Sequence, residues 1–181
     1  SQDPSVTSAL ARYRAAFELI DGEPLAGVLS GYGWWSSEGH QARVNSMIVD
    51  GACNAVNGAI REGMVDLAWW ILDKARLVEH YSELLSRAAM VTAAAAGDRM
   101  RLQREWDECR RRVIELDPNG TPSPATQRLF DYLGRRSADP ESLGAMPAWP
   151  PPEKRSAGPT HRPQGRGASA SDGAPPRPED L

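Results

Sequence analysis

Apolar residues recur along most of this chain at three- and four-residue steps, the spacing that places side chains on one face of an α-helix. From Ser5 to about Ile20 the stripe is Leu10, Tyr13, Phe17 and Ile20, and Gly22 with Pro24 ends it. Gly27 to Gly33 reads as a glycine-rich loop that delivers the Trp34-Trp35 pair to a neighbouring surface, with Ser36 or Ser37 capping the next helix. That helix is expected from about Glu38 to Arg61 through Val44, Ile48, Ala52, Val56 and Ala59, and it stops near Gly63. A third helix opens around Asp66 with Val65, Ala68, Trp69, Leu72 and Ala75, and turns at Glu79-His80-Tyr81. A fourth carries Leu84, Leu85, Ala88, Val91 and Ala95. Gly97-Asp98 supplies a C-terminal glycine and a new N-cap, and Leu102, Trp106, Cys109, Val113 and Leu116 then form the clearest amphipathic stripe. After the Asp117-Pro118-Asn119-Gly120 turn, Ser123-Pro124 starts a last helix with Leu129, Tyr132 and Leu133 inward. No period-two run of Val, Ile and Thr argues for a strand.

The repeat is more informative than any single helix. Gly63 and Gly97 lie 34 residues apart, each between two amphipathic helices, and 34 is the period of tetratricopeptide (TPR) helical hairpins. In that register Ala68, Leu72 and Ala75 occupy the small, large and small positions of one second helix, and Leu102, Trp106 and Cys109 those of the next. The fold class expected is all-α: TPR-like antiparallel helical repeats, about six helices, with the first and last acting as caps on a short array.

Composition sets the domain limits. Past Ser137 the chain turns to Pro, Gly, Ser and Arg and loses its large apolar residues, so 5–136 is expected to be the domain and 137–181 a disordered Pro-rich tail. Ser1-Gln2-Asp3-Pro4 is expected to be an expression-tag remnant. The formal net charge of −3, with acids and bases mixed, disfavours direct nucleic-acid binding by this chain. The two cysteines, Cys53 and Cys109, lack metal-ligand spacing, and no apolar run is long enough to span a bilayer, so a reducing cytoplasm is expected. The three histidines, His40, His80 and His161, fit neither an HExxH motif nor a Ser/His/Asp order. No enzyme, metal or cofactor is expected.

Several separated blocks carry a family likeness. Ala93-Ala94-Ala95-Ala96-Gly97-Asp98-Arg99, Trp106-Asp107-Glu108-Cys109-Arg110-Arg111 and Pro122-Ser123-Pro124-Ala125-Thr126-Gln127-Arg128-Leu129 resemble the bacterial transcriptional activator domain. Ala9-Leu10 with Tyr13-Arg14, Leu25-Ala26-Gly27 and Trp34-Trp35 are similar to that family's opening helix and aromatic loop. The likeness covers roughly Val6 to Arg136. It implies a TPR-like domain that follows a winged-helix DNA-binding domain in actinobacterial regulators and serves oligomerisation or protein contact, with DNA reached only through that absent domain. Glu115-Leu116-Asp117-Pro118 departs from the more usual Glu-Leu-Gly, a variant associated with larger, sometimes membrane-anchored and LysM-containing members. That variant motivates the alternative of a scaffold or adaptor for a membrane- or envelope-associated protein.

In a TPR array the first helix of each hairpin lines a groove, which here selects Asp50, Cys53, Asn57 and Arg61, then Leu84, Arg87 and Val91. Asp50, Asn57, Arg61 and Arg87 are the candidate partner-binding residues, because an amide and a guanidinium present fixed donors to a peptide carboxylate or backbone. The competing reading is an ordinary solvated surface. Trp69 and Trp70 are adjacent and cannot share one helix face, so Trp70 is either an exposed hot spot for a partner or half-covered by the preceding helix. Trp34, Trp35, Trp69, Leu72, Leu102 and Trp106 are expected in the core. The arginine-rich run from Arg99 to Arg112 reads as a solvated, charge-balanced face, with Asp107–Arg111 and Glu108–Arg112 at ion-pair spacing.

Overall fold

A computed structural model of the chain describes residues 4–25 and 33–136. The glycine-rich segment from 26 to 32, the first three residues and the Pro-rich tail from 137 therefore lie outside the described residues. Helix α1 spans Pro4–Glu18, α2 Gly33–Ser37, α3 His40–Arg61, α4 Val65–Arg76, α5 Glu83–Ala95, α6 Arg99–Leu116 and α7 Pro124–Arg136. The described residues are all-α.

The repeat is built into backbone geometry. Gly63 and Gly97 adopt φ of 73° and 70°, a region open to glycine because it lacks a Cβ. Each closes its helix with the same pair of bonds. Gly63 donates to the Ile60 carbonyl (3.0 Å) and Met64 to Ala59 (2.8 Å), while Gly97 donates to Ala94 (3.0 Å) and Asp98 to Ala93 (3.0 Å). The chain thus reverses twice by one mechanism, giving the hairpins α3–α4 and α5–α6. The next helices start differently: Asp98 accepts from the Arg101 N–H (2.8 Å) at the head of α6, whereas Met64 gives α4 no side-chain cap.

Helix α5 is central, packing on α3, α4, α6 and α7. Its Ala88, Ala89, Ala93 and Ala94 are buried, so neighbouring backbones approach closely around the larger Leu85 and Met90. Ala68, Leu72 and Ala75 of α4 are fully buried, and Leu102, Trp106 and Cys109 repeat that placement on α6. Helix α1 lies against α3 and α4, its Leu10 and Phe17 filling the core. The Lys74 ammonium donates to the Ile20 carbonyl just past α1 (2.7 Å), anchoring the chain leaving α1 to α4.

The structure corrects the sequence reading at several places. Trp34-Trp35 lies on the one-turn helix α2, not in a loop, and α3 starts at His40 behind Gly39 at φ 75°, with no serine cap. Trp35 is only partly buried and stacks on His40 with ring centroids 5.5 Å apart. It lies outside the central core because α2 packs on α3, whose first turns precede the buried stretch that begins at Val49. The Trp34 side chain lies outside the described residues. On α7, Tyr132 is exposed, and Phe130 instead stacks on Trp106 (4.7 Å, interplanar 9°). Leu116, expected to close the α6 stripe, is also exposed.

Candidate functional site

The helices that lead the hairpins, α3 and α5, pack side by side, and α7 continues the row against α5. Between α3 and the α4–α5 corner lies an open groove of about 470 Å³. Its apolar lining is Ala42, Val49 and Leu84, and its polar lining is Asn45, Ser46, Asp50, Glu79 and Ser82. Asn45 and Glu79 are one repeat apart, and the Asn45 amide donates to the Glu79 carboxylate over a long 3.4 Å. The Asn45 Oδ1 is buried and has no hydrogen-bond partner. The Glu79 carboxylate, held by the Asn45 amide, thus lines the groove beside Asp50.

Of the residues selected from sequence, Asp50 is exposed in this groove. Arg87 is partly buried on α5, and the charges of Asp50 and Arg87 both act on the buried Cys53. Burial, reinforced by the negative charge of Asp50 and opposed by Arg87, pushes the Cys53 thiol up to about 11. Asn57 is partly buried and Arg61 exposed, further along α3.

Arg87 also faces a network that the sequence reading missed. Glu83, one turn earlier on α5, accepts from the Ser123 hydroxyl (2.7 Å), the Ser123 backbone N–H (3.1 Å) and the buried Thr126 hydroxyl (2.5 Å). Burial works to raise the Glu83 pKa, but those hydrogen bonds and the Arg87 charge outweigh it and hold the carboxyl below its ordinary range. One carboxylate therefore fastens the head of α7 to the head of α5. The available signal was Ser123-Pro124 as a helix start, but its partner lies 40 residues upstream. Cys109 adjoins this network. Burial raises its thiol pKa, the Ser86 hydrogen bond lowers it, Glu83 raises it, and Arg112 and Arg87 lower it.

Trp69 is buried, with the Arg101 guanidinium 3.3 Å above its ring centroid. Trp70 is not the exposed ring of the hot-spot reading. It is partly buried against the core with Arg14 of α1 at 5.9 Å, because α1 packs over this side of α4. Together Trp70, Arg14, Asp66 and the Gly63–Val65 turn line a second open groove of about 570 Å³.

The arginine-rich helix is less solvated than its composition suggested. Glu105 and Arg112 are buried. Glu105 pairs with Arg76 of α4 at 2.6 Å, and Arg112 pairs with Glu108 at 3.2 Å. The Glu108–Arg112 spacing thus forms an ion pair, whereas Arg111 turns to Glu108 (2.8 Å) and Asp107 accepts from Gln103 (3.2 Å). Among the described residues no helix is long and apolar enough to cross a membrane. No family model, curated protein or solved structure matches this chain.

Proposed function

We propose that the chain is a protein-interaction and oligomerisation module of a cytoplasmic bacterial transcriptional regulator, acting by binding a protein segment and not by catalysis. The observation that carries the binding part is the groove between α3 and the α4–α5 corner. Its apolar floor at Val49 and Leu84, edged by Asn45, Asp50 and Glu79, offers burial for a side chain and oriented acceptors to fix it. The high pKa of Cys53 leaves its thiol protonated near neutral pH, which suits a packing role better than a nucleophilic one. The regulator assignment rests on the resemblance of the blocks around Gly97, Trp106 and Ser123, and it leaves DNA contact to a winged-helix domain outside this chain.

The test combines the reading frame upstream of the Ser5 codon with binding of the parent protein to its operator. A winged-helix domain is expected there, and Asp50→Arg with Glu79→Arg is expected to alter the cooperativity of operator binding while leaving the helical circular dichroism intact. Transmembrane segments or LysM repeats with no DNA-reading helix would replace this reading with the envelope scaffold. Unchanged cooperativity would remove the groove from it.

A further inference from the structure

The groove has a charge pattern that selects its occupant. Among the described residues lining it none is basic, whereas Asp50 and Glu79 are acidic. A ligand that satisfies both carboxylates brings cationic N–H donors, since an ammonium or guanidinium donates without accepting. The apolar floor of Val49 and Leu84 receives the aliphatic stem that carries such a head.

The chain itself holds a segment of that chemistry. From Lys154 to Ser171 it has Lys154, Arg155, Arg162 and Arg166 and no acid, the nearest acids being Glu153 and Asp172. The tail as a whole is nearly charge-balanced; this stretch is not. Geometry permits the contact. Glu83 on α5 holds Ser123 and Thr126 on α7, so the heads of the two helices lie together and α7 runs about 20 Å onward at 1.5 Å per residue. Residues 137–153 must recover roughly that distance to return to the groove. A chain of this length can reach up to about 55 Å, more than the distance required. Because the segment is covalently tethered, the contact is intramolecular and needs no second molecule.

We propose that the basic segment 154–171 docks in the groove of its own chain, placing Lys154 or Arg155 against Asp50 and Glu79. The inference rests on the proposed function, since the segment then occupies the surface a partner must take, and a partner binds by displacing it.

Spin labelling of the full chain tests this directly. Cys53 and Cys109 are buried, so Ser156→Cys provides the reactive thiol, and wild-type protein treated alike serves as the control. A nitroxide at Cys introduced there is expected to attenuate the amide resonances of Ser46, Asp50 and Ser82 far more than that of exposed Arg110. The attenuation should vanish in about 1 M salt, where the Debye length is about 3 Å. It should also vanish with Lys154→Glu plus Arg155→Glu, and with Asp50→Asn plus Glu79→Gln. Attenuation of the groove amides no greater than that of Arg110 overturns the proposal. So does attenuation that survives charge reversal of the tail. Attenuation seen only from a labelled chain to a separate isotopically labelled one shows that a second copy supplies the segment, and overturns it as well. These readouts are independent of operator binding. An empty groove with altered operator cooperativity leaves the proposed function standing without tail docking, and an occupied groove with unchanged cooperativity does the reverse.

Discussion

At the scale of single residues, two glycines of α3 separate helix propensity from packing. Gly51 and Gly58 both face α1. A Cβ at Gly51 would meet Tyr13 Cε1 at 3.8 Å, an ordinary contact, whereas one at Gly58 would meet Leu10 Cδ2 at 3.3 Å. Gly51→Ala should therefore stabilise the domain by about 0.5–1 kcal/mol, the helix-propensity difference. Gly58→Ala should gain less or turn destabilising, because Leu10 is buried and must yield. Urea midpoints of the two variants check the order, and equal gains would mean α1 sits more loosely on α3 than its contacts imply. The cysteines give a second residue-scale prediction. With Cys53 pushed to about 11 and Cys109 also raised, both buried, neither thiol should react with an aromatic disulfide at neutral pH until the protein is denatured. Rapid labelling of the native protein would contradict the packing.

At the scale of helices, the fastening of α7 to α5 depends on one carboxylate, and its contribution has a definite sign. Glu83 titrates below its ordinary value of 4.5 in the folded protein, so the folded state favours its ionised form. The resulting stability is fully present above the unfolded value, and it is lost as pH falls through the lower folded one. The urea midpoint of wild type should exceed that of Glu83→Gln at neutral pH, with the gap closing on acidification through and below pH 4.5. A gap independent of pH would assign the loss to packing alone. The helices themselves were legible because their apolar periods and the paired stops at Gly63 and Gly97 are local signals. The Glu83–Ser123–Thr126 network and the Arg76–Glu105 pair were not legible, since each joins residues about one repeat or more apart, and a charge on a helix face looks solvated until its partner helix is placed. Trp35 failed for a related reason: an aromatic pair announces burial but not which layer receives it.

For the whole molecule, a repeat architecture raises the question of whether the hairpins unfold separately or together. Nearest-neighbour arrays dissolve stepwise when the interfaces between repeats are weak relative to the repeats themselves. Here the interfaces are extensive. Helix α5 of the second hairpin contacts both helices of the first, its alanines removing side-chain bulk between backbones, and Arg76 of α4 reaches Glu105 of α6 across the boundary. Removing either hairpin would expose Leu72 and Ala75 on one side, or Leu85 and Met90 on the other, all buried to 1 % exposure or less. Each hairpin thus completes the core of its neighbour, and cooperative unfolding is the expected outcome. The native tryptophans report on both halves: Trp69 is buried in α4 under Arg101 of α6, and Trp106 is buried in α6 against Phe130 of α7. Fluorescence of variants keeping only Trp69 or only Trp106 of these two should give the same urea midpoint as far-UV circular dichroism, after each is referred to its own stability. Resolved transitions, with the Trp106 signal lost before the helical signal, would instead make α6–α7 a separable unit whose seam runs along α5, with the buried Arg76–Glu105 pair at its edge carrying a desolvation penalty against its attraction.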